Sequence, residues 1–358
     1  MNGAECSRAE ASRVEATTMF QEAAGAANAV RAQLDLDADA LRKIAVEVRR
    51  LAPRAVITCA RGSSDHAATY AKYLIETRAG VLTASAAPSV SSVYGIAQDL
   101  RGCLFIALSQ SGRSPDLIAA AAAAKRAGAT VLAVCNSPQA PLVAAADLVI
   151  HLRAGSEASI AATKSFLATQ AALARLVAAW TEDRELAAQI DGLPALMERS
   201  WRLDWSAALA PLHSAEHLYV IGRGLGLGSA QETALKFKET CALHAEAFSS
   251  AELRHGPYTL LGPRFPALLF AQADGTLSGI QALAAELARR GIPILLAGAA
   301  DAGASAAGVV VLPTLDACAA LGPILLVQSA YRLIAGLSLR RGRDPDHPPH
   351  LHKVTETL

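Results

Sequence analysis

Three landmarks in this 358-residue chain recur at nearly one spacing. Arg61-Gly62 returns as Arg223-Gly224, 162 residues later. Gln110 returns as Gln272, again 162 on, and Gly128 returns as Gly291, 163 on. A constant offset at three separate points means two copies of one structural unit. Around the landmarks, short apolar runs alternate with helical stretches. In the first copy AVITCA (55–60), LFIAL (104–108), TVLAVCN (130–136) and DLVIHL (147–152) read as buried strands. In the second, HLYVIGRG (217–224) reads as strand plus loop, and ALLFAQ (267–272), PILLAG (293–298) and GVVVLP (308–313) as strands. Helices are expected over 17–34 and 41–51, after each loop, and over 165–180 and 230–243. Strands alternating with helices of this size call for parallel sheets. The expected architecture is α/β: two tandem doubly wound, flavodoxin-like parallel sheets, each a three-layer α-β-α sandwich. A helical lead-in (1–35), the first copy (36–200), the second copy (201–340) and a tail (341–358) divide the chain.

Composition narrows the function. Apolar residues make up 52% and charged residues 18%, against an ordinary charged share of about 25%. Mean hydropathy is +0.28, so the chain is core-rich and globular. Net charge is +1 without basic or acidic blocks. That argues against a nucleic-acid or membrane surface bound through bulk charge. Aromatics at 4% also disfavour a base-stacking platform. No stretch reaches the roughly 20 uncharged apolar residues of a membrane span; the longest, Ala317 to Tyr331, is interrupted by Pro323. The N-terminus mixes both charges and has no apolar core, so no secretion signal is expected. Six cysteines without a CxxC pair are expected to be reduced, buried thiols of a cytoplasmic protein.

The two copies differ in one loop. Ser109-Gln110-Ser111-Gly112-Arg113-Ser114 in the first becomes Ala271-Gln272-Ala273-Asp274-Gly275 in the second. Hydroxyls have gone and a carboxylate has arrived. The first loop joins a strand to a helix N-terminus, where free N–H groups favour an anion. Ser63-Ser64 follow the first strand in the same geometry. Both loops lie at the carboxyl ends of parallel strands, where open α/β sheets bind ligands. As ordinary N-caps these serines would have no ligand role. The run Gly222 to Gly228 is spaced GxGxGxG and not GxGxxG, so a tight turn with close helix packing is preferred to a dinucleotide site.

Further on, Lys236 and Glu239 share one helix face, while Lys238 points elsewhere. They read either as a surface ion pair or as a base with its cation. The segment that follows, His244-Ala245-Glu246 and Glu252 to Pro257, is dense in titratable groups. A histidine at the His255-Gly256-Pro257 turn suits ring opening. The C-terminal histidines 347, 350 and 352 are irregularly spaced about Pro348-Pro349, so no metal site is expected; a tail closing over a site with Lys353 reaching in is the functional alternative.

SQSGRSPD, RAGSEASIAATKSF, ALKFKETCALHAEAFSSAELRHGP and LHKVTETL together resemble the two-fold sugar isomerase (SIS) family over about residues 18 to 358. The likeness is to the isomerase half of glucosamine-6-phosphate synthase and to the ammonia-releasing glucosamine-6-phosphate deaminase. RGSSDHA, AAPSVSSVYG and the VTETL ending look more like the deaminase branch. The resemblance implies two tandem SIS domains and a site without metal or nicotinamide cofactor. It implies that Ser63, Ser64, Ser109, Gln110, Ser111 and Ser114 hold the phosphate and nearby hydroxyls. Glu239 would shuttle the proton between C1 and C2. His255 would assist ring opening from the other subunit of a homodimer, and Lys236 and Lys353 would be active-site lysines. Ala162 departs from the pattern: the synthase commonly has serine there, which removes one expected substrate contact.

The expected reaction is glucosamine 6-phosphate and water to fructose 6-phosphate and ammonia. A fructosamine 6-phosphate deglycase, a plain aldose–ketose isomerase and a non-catalytic sugar-phosphate sensor are the rivals. The expected partner is a small sugar phosphate, with no nucleic acid and no membrane. About 35 residues precede the first copy, too few for a glutaminase core, so glutamine is not expected as the nitrogen source.

Overall fold

The computed structural model describes residues 11–298 and 308–353. Cys6 and the closing Val354 to Leu358 lie outside the described residues. The chain divides into two compact units, one holding 26–157, 165–194 and the end from His352, the other holding residues up to Gly25, 158–164 and 195–351.

The first unit is built on a parallel sheet of β1 (Ala55–Cys59), β2 (Thr83–Ser85), β3 (Cys103–Ser109), β4 (Thr130–Cys135) and β5 (Leu148–His151). Its strand order is β2-β1-β3-β4-β5. The second unit carries β6 (His217–Gly222), β7 (His244–Ser249), β8 (Ala267–Ala271), β9 (Ile294–Gly298) and β10 (Val309–Leu312), all parallel, in the order β10-β9-β8-β6-β7. Numbered within its own copy, each sheet has the flavodoxin-like order 2-1-3-4-5. The repeat read from the sequence is therefore a repeat of topology, and the doubly wound expectation holds. Its landmark glycines share backbone conformation as well. Gly62 and Gly224 have φ of 53° and 56°, and Gly128 and Gly291 have φ of 90° and 77°, values that favour glycine.

β3, β8 and β9 are buried at every position, because helices cover both faces of a parallel sheet. Leu117, Ala120, Ala121 and Ala124 of the Pro115–Arg126 helix pack on Phe105, Ala107, Val131 and Ala133 in the first unit. Ile280, Leu283, Ala284 and Leu287 of the Leu277–Arg289 helix do the same on Ile221, Leu269 and Leu296 in the second.

The Gly322–Arg340 helix is longer than the apolar run seen in the sequence. It is long and apolar enough to cross a membrane, yet 78% of that window is buried within the protein. Pro323 sits in its first turn, where a missing N–H costs nothing, so it starts the helix and does not break it. The helix packs against Gly226–Cys241 as part of the core.

Candidate active site

In the first unit the loops after β1 and β3 flank the point where strand order reverses, the place where such sheets bind ligands. Arg61, in the loop after β1, reaches Asp116 in the first turn after the β3 loop, with Nε and NH2 at 3.0 and 2.9 Å from one carboxylate oxygen. Asp116 is 3% exposed, and its other oxygen accepts the Leu117 N–H at 2.8 Å. This bond braces the two serine loops against each other. Gly112 turns at φ 62°, and a Cβ there would stand 2.5 Å from Ala140 Cβ and 2.7 Å from Cys135 Sγ.

Neither of the helices that follow these loops is capped by a serine side chain. Gly62 is the N-cap of the Ser63–Arg78 helix, and Ser114 is the N-cap of the Pro115–Arg126 helix without a capping bond from its side chain. Ser109 Oγ accepts the Gly112 N–H at 2.9 Å and Ser111 Oγ accepts the Arg113 N–H at 3.3 Å. A hydroxyl that accepts keeps its own proton to donate. Two helix N-termini and these hydroxyl-bearing loops thus lie at the reversal of strand order, an arrangement that could receive an anion. Gln110 gives its backbone carbonyl to Asn136 N–H at 3.3 Å, which anchors the loop to β4. Cys59, ending β1, is pushed up to about 12 by burial, and a thiol so held is no nucleophile at neutral pH.

The matching point of the second unit is filled by its own side chains. Gln272 Nε2 donates to the Arg223 carbonyl at 3.3 Å and also to Asp274. Its Oε1 lies where a Cβ on Gly226 would be, at 2.5 Å. The Asp274 carboxylate accepts the Thr276 N–H at 2.7 Å and the Thr276 hydroxyl at 2.6 Å. A built-in carboxylate takes the N–H that an outside anion would need. The glycine-rich run is accounted for by packing: a Cβ on Gly222 would meet the Gly226 carbonyl oxygen at 2.5 Å.

The Gly226–Cys241 helix carries the candidate base. Lys236 is fully buried, with Glu232 at 3.4 Å on one side and Glu239 in closer contact on the other. Glu232 is also fully buried and accepts the Tyr331 hydroxyl at 2.9 Å. Burial works against the Lys236 charge, but Glu232 and Glu239 outweigh it and hold the ammonium above the usual lysine range. The surface ion-pair alternative does not fit a fully buried lysine. Glu239 alone of the three opens outward, into a cleft lined also by Leu235, Ala242, Arg343, Pro349 and Leu351. Lys238 is exposed.

His255 ends an exposed 3-10 turn, Glu252–His255, followed by Gly256 at φ 136°. That loop is pinned by Glu286, which receives Arg254 NH2 at 2.6 Å and the Tyr258 hydroxyl at 2.5 Å. Ala162 is half-buried just ahead of the Lys164–Thr181 helix. Lys353 is 3.5 Å from the buried carboxylate of Glu157. Sequence reading did not single out Glu232, Tyr331 or Glu157. The signal for Glu232 was there: it is one helical turn before Lys236 and shares its face.

The SIS domain pattern matches residues 52–179 and 211–304. The chain belongs to the SIS domain family. A glutamine–fructose-6-phosphate aminotransferase (isomerizing) from Legionella pneumophila strain Lens is 33% identical over 308 residues, covering 83% of this chain and 50% of the relative. This chain thus spans about half the length of the curated relatives it matches. The crystal structure of a candidate phosphosugar isomerase from Silicibacter pomeroyi DSS-3 is 36% identical, with a TM-score of 0.87, covering 92% of this chain and 100% of that one. Glucosamine-6-phosphate deaminase from Thermotoga maritima, at 20% identity and a TM-score of 0.76 over 95% and 100% of the two chains, shares the fold.

Lys236→Met tests the buried triad. Removing the cation leaves two carboxylates in contact with apolar surroundings, a loss of about 3–5 kcal/mol. Lys238→Met, two residues away but exposed, is expected to change stability by less than about 0.5 kcal/mol. Urea unfolding of the two variants beside the parent reads the difference, and equal effects would contradict the assignment.

Proposed function

We propose that this SIS protein is an amino-sugar phosphate isomerase and deaminase, taking glucosamine 6-phosphate and water to fructose 6-phosphate and ammonia. The observation that carries this is Glu239: a carboxylate at a cleft, backed by an ammonium that is buried and cannot leave. Such a pair can take a proton from one carbon and return it to the next. In this reading Ser63, Ser64, Ser109, Gln110, Ser111 and Ser114 hold the phosphate, remote from the reacting carbons, and so position the open chain. His255 assists ring opening. Glu239 removes the C2 proton and delivers it to C1, with Lys236 offsetting the charge that develops. Lys353 is a second active-site cation. The product of the proton shift is an imine at C2; water adds there and ammonia leaves. Ala162 faces the substrate without a hydroxyl.

Support for the amino group comes from the sequence motifs RGSSDHA and AAPSVSSVYG. Support for sugar-phosphate isomerase chemistry in general comes from the Legionella and Silicibacter relatives. The deciding experiment supplies glucosamine 6-phosphate, fructosamine 6-phosphates and simple aldose phosphates in turn, and measures ammonia, free amino acid and ketose phosphate. Fructose 6-phosphate and ammonia in equal amounts from glucosamine 6-phosphate are expected. Release of an amino acid from a glycated substrate points to the deglycase, and aldose–ketose exchange without ammonia points to the plain isomerase. Glu239→Gln is expected to keep substrate binding and lose about 10²–10⁴-fold in turnover. Solvent-deuterium exchange at C1 and C2 persisting at the parent rate in that variant would refute the role of Glu239.

We further propose a homodimer with a shared site, since His255 stands exposed at the tip of a braced loop. Inactive His255→Ala and inactive Glu239→Gln subunits, mixed under conditions where subunits exchange, are expected to regain part of the activity. Proven exchange with no recovery would count against sharing.

A further inference from the structure

Glu157 is a buried carboxylate for which the proposed reaction has no use. It lies in the stretch after β5, six residues past His151, and its side chain is fully buried. One oxygen accepts the backbone N–H of Ser165 at 3.1 Å, and the other accepts the Ser165 hydroxyl at 2.5 Å. Ser165 is itself 2% exposed, in the first turn of the 18-residue Lys164–Thr181 helix. Glu157 thus caps a helix from outside it, where a negative charge is favoured. The same oxygen that receives the hydroxyl is 3.5 Å from Lys353 Nζ. A carboxylate withdrawn from water requires such partners.

We infer that Glu157 is the positioning residue for Lys353: it seats the ammonium on the first turn of the Lys164–Thr181 helix. This rests on the reading of Lys353 as an active-site lysine. The physical case is an asymmetry. The helix turn fixes Glu157 through two hydrogen bonds within the folded unit. Lys353, 27% exposed at its side chain, is carried by a segment without helix or strand. Upstream, the same segment is held by Asp346, whose carboxylate accepts the Thr18 and Met19 N–H groups at 2.8 and 2.7 Å; beyond that anchor, the rigid buried anion selects one position for the cation. A plain helix cap would do its work whether or not Lys353 were present, so the two roles are separable.

The test uses the full-length protein as the parent, Glu157→Gln, Lys353→Met and the double variant. Glutamine can still accept the Ser165 N–H and bond its hydroxyl, so the cap persists while the charge goes. Hydrogen–deuterium exchange of peptides covering 350–353, beyond the Asp346 anchor, is expected to speed up about tenfold in each single variant, the scale of one partly buried ion pair. The double variant should exchange no faster than either single. With the substrate that the parent turns over, kcat should fall in Glu157→Gln, and adding that change to Lys353→Met should cost nothing more, since the two act as one unit. Tail exchange at the parent rate in folded Glu157→Gln, or equal fractional losses in both backgrounds, would overturn the inference. Should Glu157→Gln fail to fold, unchanged tail exchange in Lys353→Met overturns it and accelerated exchange upholds it. If the parent turns over none of the sugar phosphates, the proposed reaction fails, while tail exchange still decides the seat of Lys353.

Discussion

A fully buried ammonium sets the terms for the second unit. Lys236 can stay inside only if carboxylates face it, and the Gly226–Cys241 helix supplies them one turn before and almost one turn after, at Glu232 and Glu239. The Tyr331 hydroxyl on the Gly322–Arg340 helix then completes Glu232. The packing of two core helices is thereby tied to the charge state of one lysine. Of the three charges, the one at the mouth of the cleft is Glu239, the group with most access to a ligand.

Divergence between the copies shows what a sheet edge requires. Both units turn the carboxyl ends of their strands toward two loops at the reversal of strand order. In the first, hydroxyl-bearing loops and two helix N-termini are braced by Arg61 and Asp116. In the second, Gln272 occupies the space against Gly226 and Asp274 takes the N–H of Thr276. The two loops therefore differ in charge: one carries hydroxyls, while the other holds a carboxylate of the protein itself. The copy whose loop carries Asp274 is the one that carries Glu239.

What the sequence disclosed follows from burial. β3, β8 and β9 are covered on both faces, so each reads as an unbroken apolar run. β2 is three residues long, and β7, at a sheet edge, carries His244 and Glu246 exposed; neither stands out as a strand. The Gly226–Cys241 helix begins four residues before its expected start because Gly226 and Gly228 disguise it. Gly226 is nonetheless helical, and Gln272 Oε1 fills the space a Cβ there would take, 2.5 Å away. The serine loops were legible because the second copy served as an internal control. Glu157 was not, because its partner Lys353 is remote along the chain and pairings of that kind leave no local pattern.

The most direct measurement is a crystal structure of the protein with a hexitol 6-phosphate, which keeps the phosphate and the open chain but cannot react. Phosphate density against Ser63, Ser64 and the Ser109–Ser114 loop, with none beside Asp274, is the result expected if the copies have divided their labour as described. Phosphate seated on the Asp274 loop, with the serine loops empty, would contradict it.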